Sequence, residues 1–252
     1  MGSEMCIRDS AWLALMTDAV YYTDPYAQSL DTSISDIGPD YVVLDRTIFY
    51  PTGGGQPGDT GVIEDGSNSI QVVDTRKGDH GAIHHIVEDV GGLGSLKVGG
   101  SVHLALDWER RYAHMRMHTA MHVLGSLIPA PVTGGQVGET KSRLDFDVGE
   151  LKLDKFELTE QMNARIQDDA PLEISWVSDA YLDEHPEVVR TMSVAPPRGV
   201  GDIRMIRIVD VDYQPCGGTH IRHLSEIGPV VVSKIENKGK QNRRVHIKFA
   251  EA

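Results

Sequence analysis

Short runs of β-branched and aromatic residues mark the first part of the chain. Tyr41-Val42-Val43-Leu44 is one, continued by Thr47-Ile48-Phe49-Tyr50. Ile70-Gln71-Val72-Val73 and residues 82–87 and 102–106 are others. Turn residues separate them: Gly58-Asp59, Asp65-Gly66, Gly78-Asp79 and the glycine-rich stretch 91–100. Short strands at this spacing predict a small all-β barrel or sandwich. His84 and His85 are neighbours on one such strand and therefore point to opposite faces. They and His80 are read as structural.

From residue 107 the pattern changes. Asp107 can cap a helix, with Glu109 in its first turn. No proline, and no glycine before Gly125, interrupts residues 108 to about 127, and Pro129 and Pro131 then stop the helix. A second helix is predicted to start near Asp154, where Asp154 and Glu157 have capping-box spacing, and to end before Pro171. Strands are predicted at 144–148, 172–177, 203–211, 230–235 and 245–249. The expected fold class is α+β, a small glycine-rich β-barrel domain over 17–106 followed by a mixed α/β domain over 107–252. Residues 1–16 read as a non-native or disordered leader, with neither the apolar core nor the flanks of a secretory signal.

Composition narrows the function classes. The 252 residues contain 24 Lys and Arg against 37 Asp and Glu, a net charge of −13, which excludes a surface that is basic throughout. The two cysteines, Cys6 and Cys216, exclude a disulfide scaffold and suit a reducing compartment. No apolar run approaches the roughly 18 residues of a membrane span.

The candidate chemistry lies in histidines and one cysteine. His114, His118 and His122 follow each other at intervals of four, so one helical face carries all three. His114 and His122 are about 12 Å apart along a helix and cannot share an ion. The helix thus offers one pair, either His114 with His118 or His118 with His122. About 90 residues downstream, Cys216-Gly217-Gly218-Thr219-His220 presents a thiol and an imidazole on a glycine loop. Two histidines with a cysteine and a further histidine suit Zn²⁺. Zinc-finger pairs lie only about 12–20 residues apart, so the ion would bridge elements of a folded domain. A His-Glu-x-x-His protease is excluded, because the residue after His118 is Thr119. Gly53-Gly54-Gly55-Gln56 lacks the Gly-Lys-Ser/Thr of a nucleotide loop, so no nucleotide cofactor is expected. Its glycines permit a tight turn or a close approach to a partner domain or to RNA.

His118-Thr119-Ala120-Met121-His122 together with Cys216-Gly217-Gly218-Thr219-His220 resembles the paired motifs of the alanyl-tRNA synthetase editing domain. Residues 49–61, Phe-Tyr-Pro-Thr-Gly-Gly-Gly-Gln-Pro-Gly-Asp-Thr-Gly, resemble the glycine-rich signature of the barrel that accompanies it. The chain is similar to the AlaX family of free-standing trans-editing proteins in its medium-length form. The resemblance implies that His118, His122, Cys216 and His220 bind one Zn²⁺ per chain. It implies hydrolysis of the ester that joins serine or glycine to alanine tRNA, in the cytoplasm. It gives Gln136 a place in the amino-acid pocket, and Thr119 is either a substrate contact or a brace for the helix. Met121 departs from the small polar residue that synthetase editing domains often have there. Two other functions fit the same residues: a zinc-stabilised tRNA-binding module without hydrolysis, and a zinc hydrolase acting on another aminoacyl-tRNA or a small ester.

Mischarged alanine tRNA as the partner requires local positive charge. Residues 233–248 carry Lys234, Lys238, Lys240, Arg243, Arg244 and Lys248 against Glu236, and residues 190–207 carry four arginines against Asp202. Both segments flank the Cys216 loop in sequence, and Lys238, Lys240, Arg243 and Arg244 are expected to grip phosphates. No sequence feature specifies an oligomeric state, and no membrane association is expected.

Overall fold

The computed structural model describes residues 16–66, 68–190 and 201–250. Met16 is therefore the one described residue of the predicted leader, and Cys6 and Arg198 lie outside the described residues. Contacts divide the chain into two units. The first comprises residues up to Gly53 together with Pro57–Arg111, and the second comprises Gly54–Gln56 and Tyr112 onward.

In the first unit, six strands close a barrel: Ser29–Ile37 (β1), Tyr41–Leu44 (β2), Gly61–Asp65 (β3), Asn68–Lys77 (β4), Ile83–Val87 (β5) and Ser101–Leu106 (β6), in the order β1-β2-β5-β4-β3-β6. Alternation fills it: on β4, Ile70, Val72 and Thr75 are buried while Gln71 and Val73 face out. Ile34, Leu44, Phe49, Ile63 and Leu104 complete the core. β1 and β3 were not legible as strands. Asp31-Thr32-Ser33 is a polar run, and β3 opens on a glycine with φ +158°. Residues 48–50, predicted to extend a strand, are buried outside the ladders. The backbone N–H of Tyr50 donates to Asp59 Oδ2 at 2.6 Å. Arg111, also fully buried, donates to the same carboxylate through Nε at 2.9 Å, which fixes the aspartate of the glycine-rich motif. Because Arg111 is held this way, the unit boundary falls a turn inside the helix rather than at its start.

His85 sits in the barrel interior and stays neutral. Its Nδ1 donates to the Val42 carbonyl at 3.0 Å and its Nε2 accepts from Thr47 Oγ1 at 2.7 Å. Burial disfavours the imidazolium and pushes its pKa down to about 4 from 6.5. Between those values the unfolded chain binds a proton that the folded barrel does not. Barrel stability should therefore fall as pH drops from about 6.5 toward 4, by at most about 1.4 kcal/mol per pH unit, and this contribution is complete above 6.5. Urea unfolding at pH 7 and pH 5 should show the loss in the natural protein and a smaller one in His85→Gln; the same pH slope in both would dismiss the effect.

The second unit contains most of the helix Trp108–Leu127 (α1), then Val132–Gln136 (β7), Lys141–Asp147 (β8), Lys155–Gln167 (α2), Leu172–Val177 (β9), Asp179–Glu184 (α3), Ile203–Ile208 (β10), Asp212–Pro215 (β11), Val230–Asn237 (β12) and Asn242–Phe249 (β13). One sheet runs β12-β13-β8-β7 and another β9-β10-β11, all antiparallel. α2 starts as predicted, with Asp154 Oδ1 accepting from the amides of Phe156 and Glu157 at 2.7 and 3.0 Å. Its face Leu158, Met162 and Ile166 is buried, and Asn163 exchanges two hydrogen bonds with the Val230 backbone. The predicted single strand over 203–211 is instead the first arm of a hairpin. Asp210 adopts φ +59° and the Val211 amide bonds the Ile208 carbonyl at 2.9 Å, so the chain reverses there. That reversal returns the chain toward Cys216 as β11. No helix among the described residues is long and apolar enough to cross a membrane.

Candidate metal centre

α1 presents His118 and His122 one turn apart on a buried face, and the loop after β11 supplies Cys216 and His220. One ligand-type atom from each of these four lies within 4.8 Å of every other. Cys216 Sγ is 3.6 Å from His118 Nε2 and 3.3 Å from His220 Nε2. His114 does not belong to this group.

The loop is built for close approach. A Cβ on Gly218 would lie 2.3 Å from His118 Nδ1, so the imidazole occupies the space a side chain would need. Arg204, buried on β10, holds the loop by donating Nη1 to the carbonyls of Cys216 and Gly218 at 2.8 and 2.9 Å. The Gly218 amide points at the sulfur from 3.4 Å.

Outer partners fix the ring orientations. Asp212 Oδ2 accepts from His122 Nδ1 at 2.7 Å and from Gln214 Nε2 at 2.7 Å, and Arg190 Nη1 lies 3.9 Å from the other Asp212 oxygen. A carboxylate only accepts, so His122 carries its proton on Nδ1 and its Nε2 is left for an ion. Thr119 is fully buried. Its hydroxyl donates to the Met115 carbonyl at 2.9 Å, so its oxygen is the acceptor for His220 Nδ1 at 3.1 Å. In the metal-free site, burial alone would lower the His122 pKa, but Asp212 and Cys216 together raise it to about 10. Burial would raise the Cys216 thiol, yet the neighbouring His118, His220 and His122 side chains bring it well below the usual thiol range. A thiol lowered in this way is a ready metal ligand once an incoming ion displaces the His122 proton.

The other singled-out residues are not among these four ligand-type side chains. Gln136 is exposed at the end of β7, with Oε1 accepting from Arg143 Nε at 3.3 Å. Met121, beside His122, packs near Gly135, whose Cβ would meet its methyl at 3.2 Å. On the β12–β13 hairpin, Lys238 pairs with Glu236 at 3.2 Å, Lys234 also pairs with Glu236, and Arg244 makes two 2.8 Å bonds to Asp145. Arg243 donates to the backbone carbonyls of Gly239 and Asn242, and Lys240 is exposed at the turn.

Two family descriptions match the chain: "tRNA synthetases class II (A)" over residues 15–110, and "Threonyl and Alanyl tRNA synthetase second additional domain" over residues 203–246. The Alanyl-tRNA editing protein AlaX-M of Methanosarcina acetivorans is 38% identical over 242 residues, spanning 92% of this chain and 98% of its own length. The AlaX-M of Saccharolobus solfataricus is 35% identical over 92% of this chain and 98% of its own. The chain belongs to the AlaX family. The alanine–tRNA ligase of Sulfurisphaera tokodaii is 34% identical over 87% of this chain but only 25% of its own length, so the likeness extends to a segment of a longer ligase.

Sequence reasoning did not find Asp212, Gln214 or Arg204 in this AlaX-family chain. A signal existed for the first two. Asp212, Gln214 and Cys216 alternate, and on a strand alternate residues share a face. The prediction of an unbroken strand through 211 hid it. Gln56 belongs to the glycine loop expected to make a tight turn or a close approach to a partner domain or RNA, and nothing in its spacing points to the His118 ring.

Proposed function

We propose that this chain is a zinc-dependent trans-editing hydrolase that removes serine, and also glycine, from mischarged alanine tRNA in the cytoplasm. The observation that carries the reading is the convergence of His118, His122, Cys216 and His220 on one point, in a chain whose named relatives are alanyl-tRNA editing proteins. The donor set fits zinc: Zn–S near 2.3 Å and Zn–N near 2.0–2.1 Å in a tetrahedron place S and N roughly 3.5 Å apart, against 3.6 and 3.3 Å here. One ion per chain would be held by the three Nε2 atoms and the sulfur. Bound there, it would supply a Lewis acid for the ester carbonyl and for the charge that develops on it.

The chain's own residues do the rest. Asp212 keeps His122 in the tautomer that directs Nε2 inward. Thr119 does the same for His220, which makes it a positioning residue in addition to a candidate substrate contact. Gln136, exposed and with one amide face taken by Arg143, offers its NH₂ to a small polar side chain of the substrate. Four protein ligands are also the usual mark of a closed structural site, which favours the second reading, a zinc-stabilised tRNA-binding module. Single-turnover deacylation of seryl-, glycyl- and alanyl-tRNA, with zinc measured in the same sample, separates the two: hydrolysis that follows zinc content supports the enzyme, and zinc binding without turnover supports the module.

The hairpin residues Lys238, Lys240, Arg243 and Arg244 are proposed as phosphate contacts. Arg244 is already paired with Asp145, so Arg243 and Lys240 should count more. Replacing Arg243 and Arg244 together with Ala should weaken tRNA binding and flatten its log–log salt dependence by about 1 to 2, with zinc content unchanged. An unaltered slope would reduce this strand to a solvated face.

A further inference from the structure

We propose that Gln56 is a positioning residue of the metal centre, fixing the ring of His118 and thereby setting how tightly the ion is held. The inference rests on the zinc reading above. Gln56 stands 62 positions before His118 in the chain, yet its side chain is 1% exposed and in contact with it. Its Oε1 is 2.8 Å from His118 Nδ1 and 3.1 Å from the Thr219 backbone N–H, and its Nε2 donates to Thr219 Oγ1 at 2.8 Å.

The orientation of this amide is decided by its neighbours. A backbone N–H only donates, so the atom facing Thr219 N must be the carbonyl oxygen. That same oxygen meets His118 Nδ1, so Nδ1 must donate, and Nε2 is left free toward Cys216. Thr219 thus sets Gln56, and Gln56 sets His118. All three histidines of the cluster then have an oxygen acceptor on Nδ1, each of a different kind: an amide, a carboxylate and a hydroxyl.

The glycines of the motif deliver this side chain. Gly54 and Gly55 have φ +56° and +83°, in the left-handed region. A Cβ on Gly55 would lie 2.8 Å from the Gly135 carbonyl, and the Gly55 carbonyl accepts from the Val137 amide at 2.8 Å. On the other side, a Cβ on Gly218 would lie 3.0 Å from Gln56 Oε1. The two glycine motifs therefore leave room for one amide against one imidazole.

The test uses the full chain and zinc alone, competed against a chelator, with melting temperature measured in parallel. Gln56→Ala should lower zinc affinity by about 10–100-fold. Gln56→Glu keeps an acceptor at the same place and should hold zinc at least as well as the natural protein. Gly55→Ala should lower affinity in the same way as Gln56→Ala. In metal-free natural protein, nitrogen NMR of the imidazoles should show His118 protonated at Nδ1. Natural affinity in Gln56→Ala, equal losses in Gln56→Ala and Gln56→Glu, or His118 protonated at Nε2 would each overturn the inference while leaving the zinc site standing. A natural protein that takes up no zinc would overturn the underlying reading instead.

Discussion

Cys216→Ala should strip the protein of most of its zinc, from about one ion per chain to a small fraction of that. The cysteine is the one anionic member of the cluster, and its thiol is held well below the usual range before any ion arrives. Removing it leaves only the three histidine side chains facing the ion, with the charge of Asp212 reaching it only through His122. The loss should exceed the roughly 10–100-fold that removal of an outer hydrogen-bonding partner costs, because a bond to the ion itself disappears. Deacylation should fall in step. His114→Ala, on the same helical face but outside the group, should keep its zinc. Elemental analysis of both variants decides the matter: full zinc in Cys216→Ala would remove the assignment.

Seryl-tRNA for alanine should be hydrolysed far faster than correctly charged alanyl-tRNA. Size alone cannot provide this, since one methyl or methylene in a pocket is worth only about 1–3 kcal/mol. A site whose polar groups are arranged to meet a hydroxyl discriminates by as much as about 10⁴–10⁵, because alanine leaves those groups without a partner. Gln136 is the proposed contact. Its Oε1 is engaged by Arg143, which leaves the amide N–H groups for the serine oxygen. Gln136→Ala should lose serine activity more than glycine activity, and glycine should be slower than serine in the natural protein. Equal losses on both substrates would give Gln136 a general role in placing water. Equal rates on seryl- and alanyl-tRNA would end the editing claim.

Much of this was legible because single physical rules governed it. The helix over 108–127 follows from an uninterrupted helical run between a capping aspartate and two prolines. The histidine spacing puts His114, His118 and His122 on one face, and the family resemblance singles out the last two as ligands. Cys216 and His220 stood out because two glycines next to a thiol and an imidazole have few other uses. What was hidden depended on partners distant in sequence. Asp210 reverses the chain through a backbone conformation that no hydrophobic pattern records, and β11 and its Asp212 went unseen with it. β7 carries Gly134-Gly135, poor strand formers, but is a strand because β8 pairs with it and the tripeptide ending in Gln56 lies close beside it. Arg244 counted as a free charge in sequence, and only the pairing of β8 with β13 brings Asp145 to it.

The contact between Gln56 and Thr219 spans 163 positions of chain. Closing a loop that long carries an entropic cost that must be met before the contact returns anything, so such pairings belong to the late stages of folding. The helix and the hairpins can form from neighbours alone, whereas the metal centre needs the chain through His220 and the amide from residue 56 in place together. A growing polypeptide therefore makes its histidines long before it can orient them, and the finished cage exists only once residues 56 and 219 have met. If the site takes up zinc as proposed, its capture would in effect record that folding has been completed.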